Sequence, residues 1–210
     1  MKFRAFTLVE VLVSSLLLLM ILVAVYGSFT LSRDYFASVR ACSQTNQEAM
    51  KGVLGLERLL SHAEPTTIEV SLQPQGVRFL SALSKEGENF AHAPDGKLLW
   101  QSWVAVYRNQ ENQLVVKSQP IIASAALPAQ GSWPSLSTLA GDQSLSARVL
   151  ARDIVDLAFP AAPPDLFRVA VTARLEENRF PSGRPSKQLT KPIYETTFQG
   201  EITLRNKETL

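Results

Sequence analysis

The 210-residue chain is 46% apolar and 19% charged, enough for one packed domain of ordinary size plus an extra element. Its 21 lysines and arginines against 19 acidic residues give a formal charge of +2, which supplies no global pull toward nucleic acid or anionic lipid. The single cysteine, Cys42, excludes an internal disulfide and reads as a buried thiol, and two histidines, His62 and His92, leave little from which to build a transition-metal centre.

Lys2 and Arg4 lead into residues 11–32, which are 22 consecutive residues without a charge, rich in Leu, Val, Ile and Met. As a helix this run is roughly 33 Å long against a hydrocarbon core of about 30 Å, so one membrane crossing is expected. Each apolar residue near the helix centre favours insertion by about 0.3 to 0.6 kcal/mol, so Ser14, Ser15 and Gly27 do not prevent it. Basic residues before the run, and the balanced pair Arg33 and Asp34 after it, place the N-terminus in the cytoplasm and the rest outside.

Three fates fit this segment. A cleaved secretory signal conflicts with the length of the run, since such cores have about 7 to 15 residues, and its exit site would be the indifferent Val25-Tyr26-Gly27. An uncut anchor satisfies the hydropathy but has no use for Glu10 at its leading edge, because a charge costs about 2.5 to 3.5 kcal/mol at mid-bilayer and less near the interface. The third fate is a processed leader.

The string Arg4-Ala5-Phe6-Thr7-Leu8-Val9-Glu10-Val11 resembles the processing site of the type IV pilin and type II secretion pseudopilin superfamily. The resemblance implies cleavage between Ala5 and Phe6 by a prepilin peptidase, N-methylation of Phe6, and a role for Glu10 in subunit assembly. Ala5 stands where the family usually has glycine, and it remains small. Cleavage would remove Lys2 and Arg4 and with them the basic surplus. The new ammonium at Phe6 would lie four residues, near one helical turn, from Glu10. Opposite charges about 4 Å apart attract by about 4 kcal/mol at an effective dielectric of 20, so a neighbouring subunit's amine can offset the carboxylate.

Beyond the apolar run, Phe36, Val39, Cys42, Asn46, Ala49, Val53, Leu56 and Leu60 recur at intervals of three and four, an amphipathic stripe that Pro65 stops. One helix from about Phe6 to about His62 is expected, roughly 85 Å long. Gly27, Gly52 and Gly55 each weaken it by about 1 kcal/mol relative to alanine. Local melting at Gly27 and small-residue packing between helices are both compatible with the pattern.

Past Pro65 the period changes to two. Residues 67–72 and 77–82 flank Gln73-Pro74-Gln75-Gly76, and residues 98–108 and 114–118 flank the polar 109–112, which predicts two hairpins. Trp100, Trp103 and Tyr107 in the second read as core rather than as a ligand platform. Residues 123–146 read as a long loop, and 148–159 are ambiguous between helix and strand. Alternation then predicts strands over 167–176 and 194–205. The loop joining them carries Arg179, Arg184, Lys187 and Lys191 and reads as solvated rather than as a partner-binding finger. The succession of these closing strands resembles the larger J-type minor pseudopilins and the W-type minor pilins.

No serine elbow, P-loop, Rossmann fingerprint or HExxH string is present, and an enzyme is not expected. Residues 85–95, with Glu86, Glu88, Asn89 and Asp95, match no EF-hand spacing, so neither metal nor cofactor is predicted. The expected architecture is α+β and pilin-like: leader 1–5, transmembrane helix 6–32, the extracytoplasmic amphipathic half of the same helix 33–63, and a β-rich domain 64–210 with an antiparallel sheet. The resemblance implies a minor pseudopilin near the tip of a type II secretion pseudopilus. It would be held in the inner membrane by lipid and extracted into a periplasm-spanning filament. Its partners would be other pilin subunits, the prepilin peptidase and the inner-membrane assembly platform, and no nucleic acid. A minor pilin of a type IV pilus or DNA-uptake machine is the near alternative, and a signal-anchored periplasmic enzyme or binding protein the distant one.

Overall fold

The computed structural model describes residues 7–83, 92–95, 97–162, 166–176 and 193–203. The chain divides into two compact units, Met1–Ala41 and Cys42–Leu210. Helix α1, Leu8–Leu60, supplies the described part of the first and enters the second.

In the first unit α1 carries no charge on any side over residues 11–32. Leu12, Leu16, Leu19 and Val23 are each more than half exposed, because no described residue covers them. The helix is long and apolar enough to cross a membrane. Two of its hydroxyls bond within the helix: Ser15 Oγ donates to Leu12 O at 2.9 Å and Thr30 Oγ1 to Gly27 O at 2.8 Å. α1 stays helical through Gly27, where a Cβ would meet nothing within 4 Å, so there is no melting at this glycine.

In the second unit α1 buries Thr45, Ala49, Gly52, Val53, Leu56 and Leu60. The expected stripe is met from Ala49 onward but corrected before it. Cys42 is exposed and Asn46 only half-buried, because burial follows the i,i+4 ridge Thr45–Ala49–Val53 used in ridge-into-groove packing. The glycines are contact points: a Cβ on Gly52 would lie 3.0 Å from Val171 Cγ1, and one on Gly55 3.2 Å from Leu150 Cδ1. The helix ends as Ala63 N bonds to Leu60 O at 3.0 Å, ahead of a 3-10 turn at Pro65–Thr67.

Among the described residues eight strands follow: β1 (Glu69–Leu72), β2 (Gln75–Ser81), β3 (Trp100–Arg108), β4 (Leu114–Ser124), β5 (Ala147–Ala151), β6 (Ile154–Ala158), β7 (Leu166–Glu176) and β8 (Ile193–Thr203). Both predicted hairpins form. The single sheet expected is, however, two antiparallel sheets, of order β1-β2-β3-β4-β5 and β6-β7-β8. The ambiguous stretch 148–159 divides between them at Asp153, whose φ of 59° lies in the left-handed region that aspartate tolerates. Ile154 N then bonds to Asn112 O at 2.7 Å and Arg174 N to Asp153 O at 2.8 Å, which secures the corner to both sheets.

Both sheets turn one face to α1. Val77, Phe79, Val104, Val106, Val116, Leu157, Val169 and Ile202 close the core around Ala49, Val53, Leu56 and Leu60. The opposite face of the five-stranded sheet carries a second core, in which Trp100, Trp103 and Tyr107 are buried as expected. Its cover corrects the loop predicted over 123–146. There β4 continues to Ser124, and helix α2 (Leu136–Gly141), capped by Ser135 Oγ accepting from Thr138 N at 3.1 Å, presses Leu136 and Leu139 onto the sheet.

Candidate functional site

The first turn of α1 is a reciprocal cap. Thr7 N and Thr7 Oγ1 donate to Glu10 Oε2 at 3.0 and 3.1 Å, and Glu10 N donates to Thr7 Oγ1 at 3.3 Å. This is the threonine and glutamate capping box, with two otherwise orphaned N–H groups satisfied and a negative charge at the positive end of the helix dipole. Such satisfaction is worth most where no water can substitute. The donors converge on Oε2, while Oε1 accepts nothing among the described residues. Glu10 therefore presents an acceptor oxygen at the margin of an uncovered apolar helix. Ala5 and Phe6, the other two residues of the expected processing site, lie outside the described residues. The cap was legible as Thr-x-x-Glu, a local signal separate from the place of Thr7 in the family string.

A second polar centre was not anticipated. Arg78 on β2 is only 4% exposed, paired with Glu69 of β1. Its guanidinium carbon stands 4.9 Å from the Trp103 ring centroid and 5.5 Å from that of Trp133. Its Nε and Nη1 are buried with no partner among the described residues. Nearby, Lys117 Nζ donates to Ala140 O and Asp142 O, each at 2.7 Å, which holds the C-terminal end of α2 where a cation suits the helix dipole. Burial pushes the Tyr107 phenol up, so it stays a neutral donor to Ala140 O at 3.4 Å.

Among the described residues no three His, Cys, Asp or Glu side chains gather where they could hold a metal ion. Most of the acidic stretch 85–95 and the basic loop with Arg179, Arg184, Lys187 and Lys191 lie outside the described residues. No protein-family model, curated protein or solved structure matches the chain.

Proposed function

We propose that the chain is a pilin-like filament subunit of the minor pseudopilin type, anchored in the inner membrane by α1 with its β-rich part in the periplasm. On this reading it is trimmed between Ala5 and Phe6, methylated at Phe6, and drawn into a filament with other pilin-like subunits. The observation that carries the reading is Glu10: a carboxylate beside 22 uncharged residues, tied to its own helix through one oxygen with the other open. A neighbouring subunit's new amine is the group that such an oxygen would receive. An α1 that no described residue covers over its apolar half supports the same reading, since lipid first and other helices later can cover it.

The intact mass of the protein purified from its native host tests the proposal. A chain starting at Phe6 with one added methyl group is the expected result. A chain that keeps Met1, or one cut near Gly27, overturns it.

A further inference from the structure

The outer strands of a sheet expose unpaired backbone donors and acceptors, and folded proteins blunt them with shortness, proline, charge or bulges. The two sheets here have four outer strands, β1, β5, β6 and β8. β1 has four residues and is followed by Gln73-Pro74. β5 and β6 have five residues each, and each has a register shift against its neighbour. β8 is different. It has 11 residues, contains no proline, lysine or arginine, and pairs with β7 from Glu176↔Ile193 to Leu166↔Thr203 without a shift. Among the described residues no strand runs along its other edge. Three edges are short and are interrupted by a register shift or followed by a proline, whereas the longest is blunted only by the charges of Glu195 and Glu201.

The side chains of β8 describe what would pair there. One face of the strand presents the exposed Glu195, Thr197, Gln199 and Glu201, and the other the half-buried Tyr194, Thr196 and Phe198. One strand inward, Val169, Val171 and Ala173 are fully buried, so the apolar face loses its cover at the β8 edge. Arg174 Nε and Nη2 both donate to Glu195 Oε2, at 2.8 and 2.6 Å, and Arg168 Nε donates to Glu201 Oε1 at 2.8 Å. Each glutamate thus commits one oxygen to β7 and has its other oxygen without a partner among the described residues.

We propose that β8 is an acceptor edge for an extended strand of a different protein chain. That strand would carry basic residues six positions apart on one face, opposite Glu195 and Glu201, and apolar residues on the other, continuing the row of Tyr194 and Phe198. Charge selects against a second copy of this chain. Full-length antiparallel pairing of β8 with another β8 sets Glu195 against Glu201, parallel pairing in register sets each glutamate against itself, and like charges directly opposed destabilise a sheet. The inference goes beyond the filament reading and does not rest on it.

The test uses the full chain in detergent micelles and an 11-residue peptide of alternating Thr and Val with lysine at its third and ninth positions. A second peptide has glutamate at those two places. At low ionic strength the lysine peptide is expected to slow amide exchange in β8 at least about ten-fold, and to bind about ten-fold or more tightly than the glutamate peptide. The double variant Glu195→Lys with Glu201→Lys is expected to reverse the preference. It sets a lysine directly opposite Arg174 and another opposite Arg168, which weakens the exposed face of the β7–β8 pairing, so tryptophan fluorescence first verifies that it is folded. Equal affinity for the two peptides, protection confined to other strands, or protection of β8 by rising concentration of the chain alone would each overturn the inference. None of these outcomes alters the N-terminal mass, so the two proposals fail separately.

Discussion

Gly200 on β8 stands where the strand comes closest to α1. A Cβ there would lie 2.6 Å from Val53 Cγ1 and 3.6 Å from Val169 Cγ1. Gly200→Ala must therefore displace either the strand or Val53, which is only 7% exposed and, as a β-branched residue in a helix, has essentially one rotamer available. Overpacking of this kind costs about 1 to 3 kcal/mol, against a gain of about 0.4 to 1 kcal/mol from the stiffer unfolded chain. The net expectation is a loss of about 1 to 2 kcal/mol. Urea unfolding of the full chain in detergent reads it out, because Trp100, Trp103 and Trp133 all belong to the second unit and report on its core. With m of about 1 to 3 kcal/mol/M, the midpoint falls by roughly 0.5 to 1.5 M at unchanged m. Val53→Ala alone destabilises by leaving a cavity, but combined with Gly200→Ala it makes room for the added methyl. The pair is expected to be less damaging than the sum by about 1 kcal/mol or more, within the range for touching residues. A neutral Gly200→Ala, or strictly additive effects, would refute the packing argument.

Arg78→Met is expected to be neutral or stabilising in the same unfolding assay, since it removes two unpartnered buried donors and strands only the exposed Glu69, whereas Arg78→Ala opens a cavity beside Trp103 and loses about 2 kcal/mol or more. Lys117→Met deletes both bonds to the end of α2 and is expected to cost about 1.5 to 3 kcal/mol, with faster exchange at Leu139 and Ala140 than at β7. Burial pushes the Glu48 carboxyl up, but its bonds to Lys51 Nζ at 2.7 Å and Arg152 N at 2.8 Å, with their charges, outweigh this and hold it below the ordinary glutamate value. A lowered folded pKa contributes stability that is present at neutral pH and lost as the pH falls from about 4.3 through the folded value, so Glu48→Gln should flatten the acid limb of a stability profile. Thr7→Val is expected to spare incorporation into filaments, and Glu10→Gln to abolish it, as measured in sheared filament fractions.

The apolar run of residues 11–32 was legible from its length and lack of charge, and the alternation in β7 and β8 because it keeps one period long enough to be counted. The α1 stripe from Ala49 onward was legible by its period of three and four, but hydrophobicity picked Cys42 where ridge packing picks Thr45. The division into two sheets was not, because it turns on one left-handed aspartate, Asp153, in a stretch whose apolar residues suit either element. Nor was α2: its six residues give less than two turns, and only the Ser135 cap announces it. Arg78 escaped notice because a basic residue in an alternating strand reads as solvent-facing. It is buried because α2 and Trp133 cover that face, and nothing local to β2 encodes the cover. At the helix start the carboxylate was legible as an anomaly in an apolar setting, and the Thr-x-x-Glu spacing carried the signal of its local bonds to Thr7.

Those local bonds sharpen the question that Glu10 poses, because a capping residue and an assembly residue would both be costly to lose. The two roles ask for different chemistry. A capping box needs a side-chain oxygen at each end and accepts glutamine in place of glutamate, with a loss of about 1 kcal/mol when the threonine oxygen is removed. Attraction to another subunit's ammonium needs the negative charge and is indifferent to Thr7. Glu10→Gln therefore preserves the cap while deleting the charge, and Thr7→Val deletes the hydroxyl while preserving the charge. If filaments tolerate Glu10→Gln and fail with Thr7→Val, Glu10 serves the fold of its own helix and the assembly role proposed for it is lost. The opposite pattern, with both variants inserted in the membrane at normal levels, assigns the carboxylate to the contact between subunits.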